Sequence, residues 1–310
     1  MAKHAQGWLL LIAMLLALNA HATEEVDDSP RVLPFAAHGL FTGDDWRFKN
    51  EHLITGTLLR SLADLVAIPT GIPWWSAGDW VIAGTVVGTS AALSLGTPSV
   101  DVRLEDFTQD KLLGANHFRI WGTAGDLIIW SSTGVIMGVM LLYGLITKHQ
   151  LPVEMTMLML EAILVENVYH VMIKFFLARA GPQKPELLGH YFGPPEFLHL
   201  FPEGQPSGHM MAMYSILSVA MHMIDHPAVW VGLNLFALVF AGALVGDVYH
   251  WFSDCVAGGA IGFFIGRWIV RHRSSHYVYG LEQPKPKVTF DVLPMVFPAS
   301  GGGLAVVGTF

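Results

Sequence analysis

Two short segments carry residue types that could transfer a phosphoryl group. One is Pro206-Ser207-Gly208-His209; the other, further along, is His250-Trp251-Phe252-Ser253-Asp254. Asp254 follows His250 by four residues, so on a helix the carboxylate shares a face with the imidazole and can orient and charge-stabilise it. An imidazole held by an acid can act as a nucleophile, and a second imidazole can protonate a leaving group. Two histidines and one aspartate are therefore enough for covalent phosphoryl transfer without a metal. The plainer reading is two unrelated helix-end histidines in a chain that has 15. Their joint occurrence, each beside a long apolar run, favours the chemical one.

The elements that must position these groups read as membrane helices. Charged residues make up 14% of the chain and hydrophobic residues 53%, against about 25% charge in a soluble domain. The deficit points to lipid as the solvent for much of the chain. Six apolar spans are expected: Trp80–Leu95, Leu127–Ile146, Met155–Phe176, Met210–Met223, Val229–Val245 and Val256–Val270. The fold class is thus all-α, a polytopic bundle. The small residues Gly242, Ala243, Gly258, Gly259, Gly262 and Gly266 suit close helix packing. Ser99–Trp121 reads as an amphipathic loop helix between the first two spans. Leu53–Ile68 reads as an interfacial or packed amphipathic helix, with Arg60 and Asp64 able to neutralise each other four residues apart.

The ends differ from the middle. Lys3 and His4, the apolar run Trp8–Leu18 and Ala20-His21-Ala22 read as a secretory signal cleaved after Ala22, with an uncleaved anchor as the alternative. The chain then divides into a leader, 1–22; an external and amphipathic segment, 23–79; a membrane domain, 80–273; and a tail, 274–310. In the tail, Val288–Val292 and Leu304–Val307 flank a Gly-rich stretch and read as a short β-hairpin. The single cysteine, Cys255, excludes an intramolecular disulfide, and a net charge of −8 without a basic run excludes nucleic acid as a partner.

The order Lys174…Pro182, Pro206-Ser207-Gly208-His209, His250…Asp254 resembles the type 2 phosphatidic acid phosphatase and vanadium haloperoxidase superfamily, in its membrane branch. The resemblance covers roughly residues 80–270. It implies six helices carrying three motifs at one bilayer face. It makes His250 the phosphoryl-accepting nucleophile, Asp254 its orienting partner and His209 the general acid. Lys174, Arg179, Ser207 and the Gly208 N–H are implied to bind phosphate. A phosphorylated lipid in the membrane is the implied partner, with no metal or other cofactor.

Two positions depart from the family pattern. Gly181 stands where the first motif has arginine, and Ala243-Leu244 stand where the third opens with Ser-Arg. A phosphomonoester dianion needs such guanidinium forks, and losing one buried charge-assisted contact costs about 2–5 kcal/mol. Three readings follow: a phosphatase with charge from Lys174, Arg179 and Lys184; a transferase of phosphodiester head groups; or a weakly catalytic scaffold. Glu166, His170 and Lys174 recur every four residues and form a self-neutralising ladder, or Glu166 and His170 build a metal site with Asp247. His190 and His199 read as solvated loop residues.

Lys148 and His149 after the second span, and Arg267, Arg271 and Arg273 in or after the sixth, place those ends in the cytoplasm. The site then faces the periplasm from the inner membrane. A cleaved leader conflicts with this, because it starts the mature chain outside and six spans return its end there.

Overall fold

The computed structural model describes residues 53–95, 99–113, 119–177, 179–182, 204–274, 289–297 and 301–309. The leader, the segment up to residue 52, and Lys184, His190 and His199 lie outside the described residues.

Among the described residues from Leu53 to Arg273 every regular element is helical: α1 Leu53–Gly71, a 3-10 turn Ile72–Trp74, α2 Ala77–Ser94, α3 Val100–Phe107, a π-helical turn Thr108–Leu113, α4 Arg119–Thr147, α5 Gln150–Leu177, α6 Gly208–Ile224, α7 Pro227–Gly246 and α8 Phe252–Arg273. Two strands, Thr289–Phe297 and Gly301–Thr309, pair antiparallel with Phe297 opposite Gly301. Each expected span coincides with a helix. Among the described residues, four helices are long and apolar enough to cross a membrane: those containing Trp130–Thr147, Leu151–Leu177, Pro227–Gly246 and Phe252–Arg273; α6 is apolar but shorter.

Local chemistry sets where the helices begin. Ser76 and Asp79 form a reciprocal capping box at the start of α2. Ser99 Oγ accepts from the Val102 N–H and Ser207 Oγ from the Met210 N–H, capping α3 and α6. Pro227 opens α7, where its missing N–H costs nothing.

The centre of the bundle is the parallel pair α6 and α8. Three glycines four residues apart let the backbones touch. A Cβ at Gly258 would lie 2.3 Å from the Ser207 carbonyl oxygen, at Gly262 2.0 Å from that of Met211, and at Gly266 2.4 Å from that of Ser215. Apolar clusters fill both flanks. Met210, Tyr214, Phe240, Leu244, Phe252 and Phe263 belong to one; Met159, Val165, Met211, Val219, Ile265 and Ile269 belong to the other. Gly242, grouped with these glycines from sequence, has nothing within 4 Å of a built Cβ and takes no part in the contact.

α1 corrects a local reading. Arg60 and Asp64 each have an ion-pair partner on another helix. Arg60 Nε donates to Glu161 Oε2 on α5 at 2.7 Å, and Asp64 pairs with Arg273 at the end of α8. The opposite side of α1 exposes Ile54, Leu58, Leu62 and Val66. Charge inside and hydrocarbon outside suits a helix whose solvent is lipid. α1 runs parallel to α5, since Thr57 meets Met157 and Leu65 meets Tyr169. α2 continues in the same direction, antiparallel to α8: Trp75 stacks on Phe264 and Ser90 Oγ donates to the Ser253 carbonyl.

Gly262→Leu should therefore destabilise the protein by about 3 kcal/mol or more, because overpacking here strikes backbone. Gly242→Ala should be neutral or stabilise by up to about 1 kcal/mol. Thermal unfolding in detergent measures both; equal effects would refute the special status of the α6–α8 contact.

Candidate active site

Four helix ends meet at one end of the bundle. α7 stops at Gly246, and the chain turns through Val248, whose φ of 62° is left-handed. A β-branched residue in that region is strained by about 1–3 kcal/mol, and the turn it makes delivers His250. The Tyr249 N–H donates to the Leu244 carbonyl at 3.0 Å and fixes the turn. Trp251 then anchors it, with Nε1 donating to the Ala180 carbonyl at 3.0 Å. α8 starts immediately after, with Asp254 Oδ2 accepting from the Trp251 N–H at 3.1 Å. The start of α6 is tied to the same place: the Ser207 N–H donates to the Asp254 carbonyl at 3.0 Å.

These ties bring His209, His250 and Asp254 together. His209 Nδ1 and His250 Nε2 are 3.4 Å apart, with ring centroids 5.5 Å apart. The other ring nitrogen of His250, Nδ1, faces Asp254 Oδ2 at 3.9 Å, a charge contact longer than a hydrogen bond. Nδ1 is buried and has no hydrogen-bond partner among the described residues. One edge of the His250 ring thus faces a carboxylate and the other a second imidazole. Burial lowers the pKa of His250 from the ordinary histidine value, and Asp254 opposes that fall. The two facing nitrogens leave no room for phosphorus between them, so a bound phosphoryl group has to part the rings.

Lys174, at the end of α5, is buried and lies within electrostatic reach of His250. His170, one turn earlier, is a third imidazole at this site. Its ring covers Gly208, where a Cβ would lie 2.4 Å from His170 Nε2. That nitrogen has no hydrogen-bond partner among the described residues. Glu166 does not complete the expected ladder, since both its carboxyl oxygens are buried without hydrogen-bond partners among the described residues. Nor do Glu166, His170 and Asp247 assemble as ligands. Among the described residues no three His, Cys, Asp or Glu side chains are placed to hold a metal ion.

The remaining sequence candidates lie behind the imidazoles. Ser207 is fully buried and its hydroxyl caps α6. Arg179 is fully buried, and its guanidinium faces carboxylates. Nη1 donates to Asp254 Oδ1 in a short contact and to Ser253 Oγ at 2.6 Å; Nη2 donates to Asp101 Oδ2 at 2.9 Å. Asp101 also accepts from the Ser253 N–H at 2.8 Å and from its hydroxyl in a short contact. Gly181 and Leu244, at the two substituted arginine positions, are buried, Leu244 in the apolar cluster.

Sequence reasoning missed Asp101, Ser253 as a structural donor, and His170 as a neighbour of the site. Asp101 gave no signal: it is one acidic residue on a short amphipathic helix, 152 residues from Ser253. The i, i+4 spacing to Lys174 did place His170 on the correct face of α5.

No curated protein and no solved structure matches the chain. Residues 155–276, which hold Lys174, His209, His250 and Asp254, match the family model of the PAP2 superfamily, the family that the two histidine motifs resemble.

Proposed function

We propose that the chain transfers the phosphoryl group of a phosphorylated lipid to water through a covalent intermediate on His250. The observation that carries this reading is the 3.4 Å approach of His209 to His250, with Asp254 behind the nucleophile. The PAP2 match supports it, since that superfamily acts as phosphatases or phosphotransferases on phosphorylated substrates.

Substrate parts the two rings, and His250 Nε2 attacks phosphorus. The P–N bond forms as the P–O bond to the leaving alcohol breaks, and His209 gives its proton to the departing oxygen. A water molecule then attacks phosphorus, His209 takes its proton, and the P–N bond breaks. Lys174 and the N–H groups at the start of α6 balance charge on the phosphoryl oxygens. Asp254 balances the positive imidazole ring while it carries phosphate.

A lipid substrate fits the location, because the site opens at the ends of long apolar helices, where head groups lie. Six passages through the inner membrane, with the basic ends Lys148 and Arg271–Arg273 in the cytoplasm, put the site on the periplasmic face. Residues 80–273 form the membrane domain of this reading.

Head-group transfer is the second reading, favoured by Arg179. With that guanidinium on Asp101 and Asp254, and no arginine at 181 or 244, the pocket suits a phosphodiester monoanion over a dianion. An acceptor alcohol then replaces water in the second step.

Phosphate release from phosphatidate, an isoprenyl diphosphate and a phosphodiester lipid separates these readings. His250→Ala should lower turnover at least about 1,000-fold while the protein stays folded. Full turnover by a folded His250→Ala protein on every lipid would refute both. Phosphodiester turnover accelerated by added alcohol would select the transferase. A cellular phenotype that survives His250→Ala would select the scaffold. Activity should persist in EDTA, and its loss with rescue by a divalent ion would overturn metal-free charge stabilisation.

The pH profile has a defined sign. Burial favours neutral His250, so the free base survives below the ordinary histidine value of about 6.5. The acid limb of kcat/KM should accordingly lie below that value. Asp254→Asn removes the opposing charge and should move the limb lower still. A limb that rises in Asp254→Asn would contradict the assignment.

A further inference from the structure

The site behind His250 holds more charge than a histidine–aspartate pair needs. Asp254 is not free to act alone: its Oδ1 is paired with Arg179. A carboxylate neutralised by a guanidinium offers little to a positive ring. A second carboxylate, Asp101 on α3, pairs with the other arm of the same guanidinium at 2.9 Å. All three side chains have no exposed surface. Two carboxylates against one guanidinium leave one negative charge in excess, sealed beneath His250.

We propose that Asp101 is the charge-balancing and positioning residue for His250: it holds Arg179 and Ser253 in place and restores the negative charge that Arg179 takes from Asp254. Asp101 lies outside the matched segment 155–276. Three donors converge on its two oxygens: the Ser253 N–H, the Ser253 hydroxyl and Arg179 Nη2. Two of these donors meet Oδ2 and one meets Oδ1, and one of them is a guanidinium; hydrogen bonds given to a carboxylate favour its charged form. Burial raises the Asp101 pKa from the ordinary carboxylate value and the nearby Asp254 carboxylate adds to the rise, while Arg179 and the Ser253 hydroxyl oppose it. The other groups facing His250 are Lys174 and His170 on α5 and His209 on α6. Lys174 is a cation, so the excess charge beneath the ring has a cation to outweigh.

The inference rests on the phosphohistidine reading. When His250 Nε2 bonds to phosphorus and the P–O bond breaks, the ring becomes positive with its proton on Nδ1. That edge faces Asp254, whose remaining oxygen can offset the charge only while Asp101 occupies Arg179.

The test compares Asp101→Asn with the double variant Asp101→Asn/Arg179→Gln, in full-length protein in detergent. Asp101→Asn keeps an acceptor for the Ser253 N–H and removes the charge. It should lower kcat about tenfold or more and move the acid limb down by about one pH unit. The double variant removes the guanidinium as well, which leaves Asp254 as the one uncompensated charge. Its acid limb should return to the wild-type position, even if kcat does not fully recover. An unchanged kcat and limb in folded Asp101→Asn overturns the proposal. So does a double variant whose limb stays with the single variant, which marks Asp101 as a scaffold alone. If Asp101→Asn does not fold, the comparison is made between Arg179→Gln and the double variant: the limb of the double variant should lie about one pH unit below that of Arg179→Gln, and coincident limbs overturn the proposal. Trapped phosphate on His250 in the wild type separates this outcome from failure of the phosphohistidine reading, which would show no trapped phosphate in any variant.

Discussion

The close approach of α6 to α8 is the contact on which the other features depend. Three glycines on α8 let carbonyl oxygens of Ser207, Met211 and Ser215 lie where a side chain would otherwise stand. No larger residue permits this without displacing backbone. Because the first contact of the row involves Ser207, the packing of the bundle and the placement of the motif are one event. The Ser207 N–H reaches the Asp254 carbonyl only at this separation. His209, two residues on, is thereby set against His250. Dispersion and backbone contact drive such packing in lipid, where burial of apolar surface supplies little.

Charge is handled by the same rule at both ends of the molecule. Beneath the site, Arg179 joins Asp101 and Asp254; far from it, Arg60 and Arg273 meet Glu161 and Asp64. In each case a guanidinium links helices distant in sequence. Buried charges are tolerated when paired and hydrogen-bonded, and removing one partner is costlier than removing both. These clusters also fix register. α1 cannot slide on α5, nor α3 on the start of α8, without parting ions in a medium of low polarity.

Legibility in the sequence followed the range of the interaction. His250 and Asp254 were readable because their spacing alone puts them on one face of a helix turn. His209 was readable because Pro-Ser-Gly-His marks a capped helix start. The position of every apolar helix was readable from run length, although α4 begins at Arg119, ahead of its apolar stretch. Non-local pairing was not readable. Arg60 and Asp64 satisfy the local rule for an ion pair, yet each has a tertiary partner. Arg179 was expected among the phosphate ligands, and nothing near it in sequence reveals Asp101, 78 residues away. Gly242 and Gly262 look alike as letters, and only the neighbouring backbone distinguishes them.

The direction of α1 has a consequence for biogenesis. It runs antiparallel to α8 and begins beyond the level of Arg273, so the first helix starts on the membrane side where the last one ends. Between residues 23 and 52 the sequence offers no apolar run of span length. A leader removed after Ala22 would release the new amino terminus on the translocated side and hold the start of α1 there. Arg271 and Arg273 would then be translocated too, and the histidines would open to the cytoplasm. Were such a leader cleaved, the side of the membrane to which His209 and His250 open would follow from the cleavage.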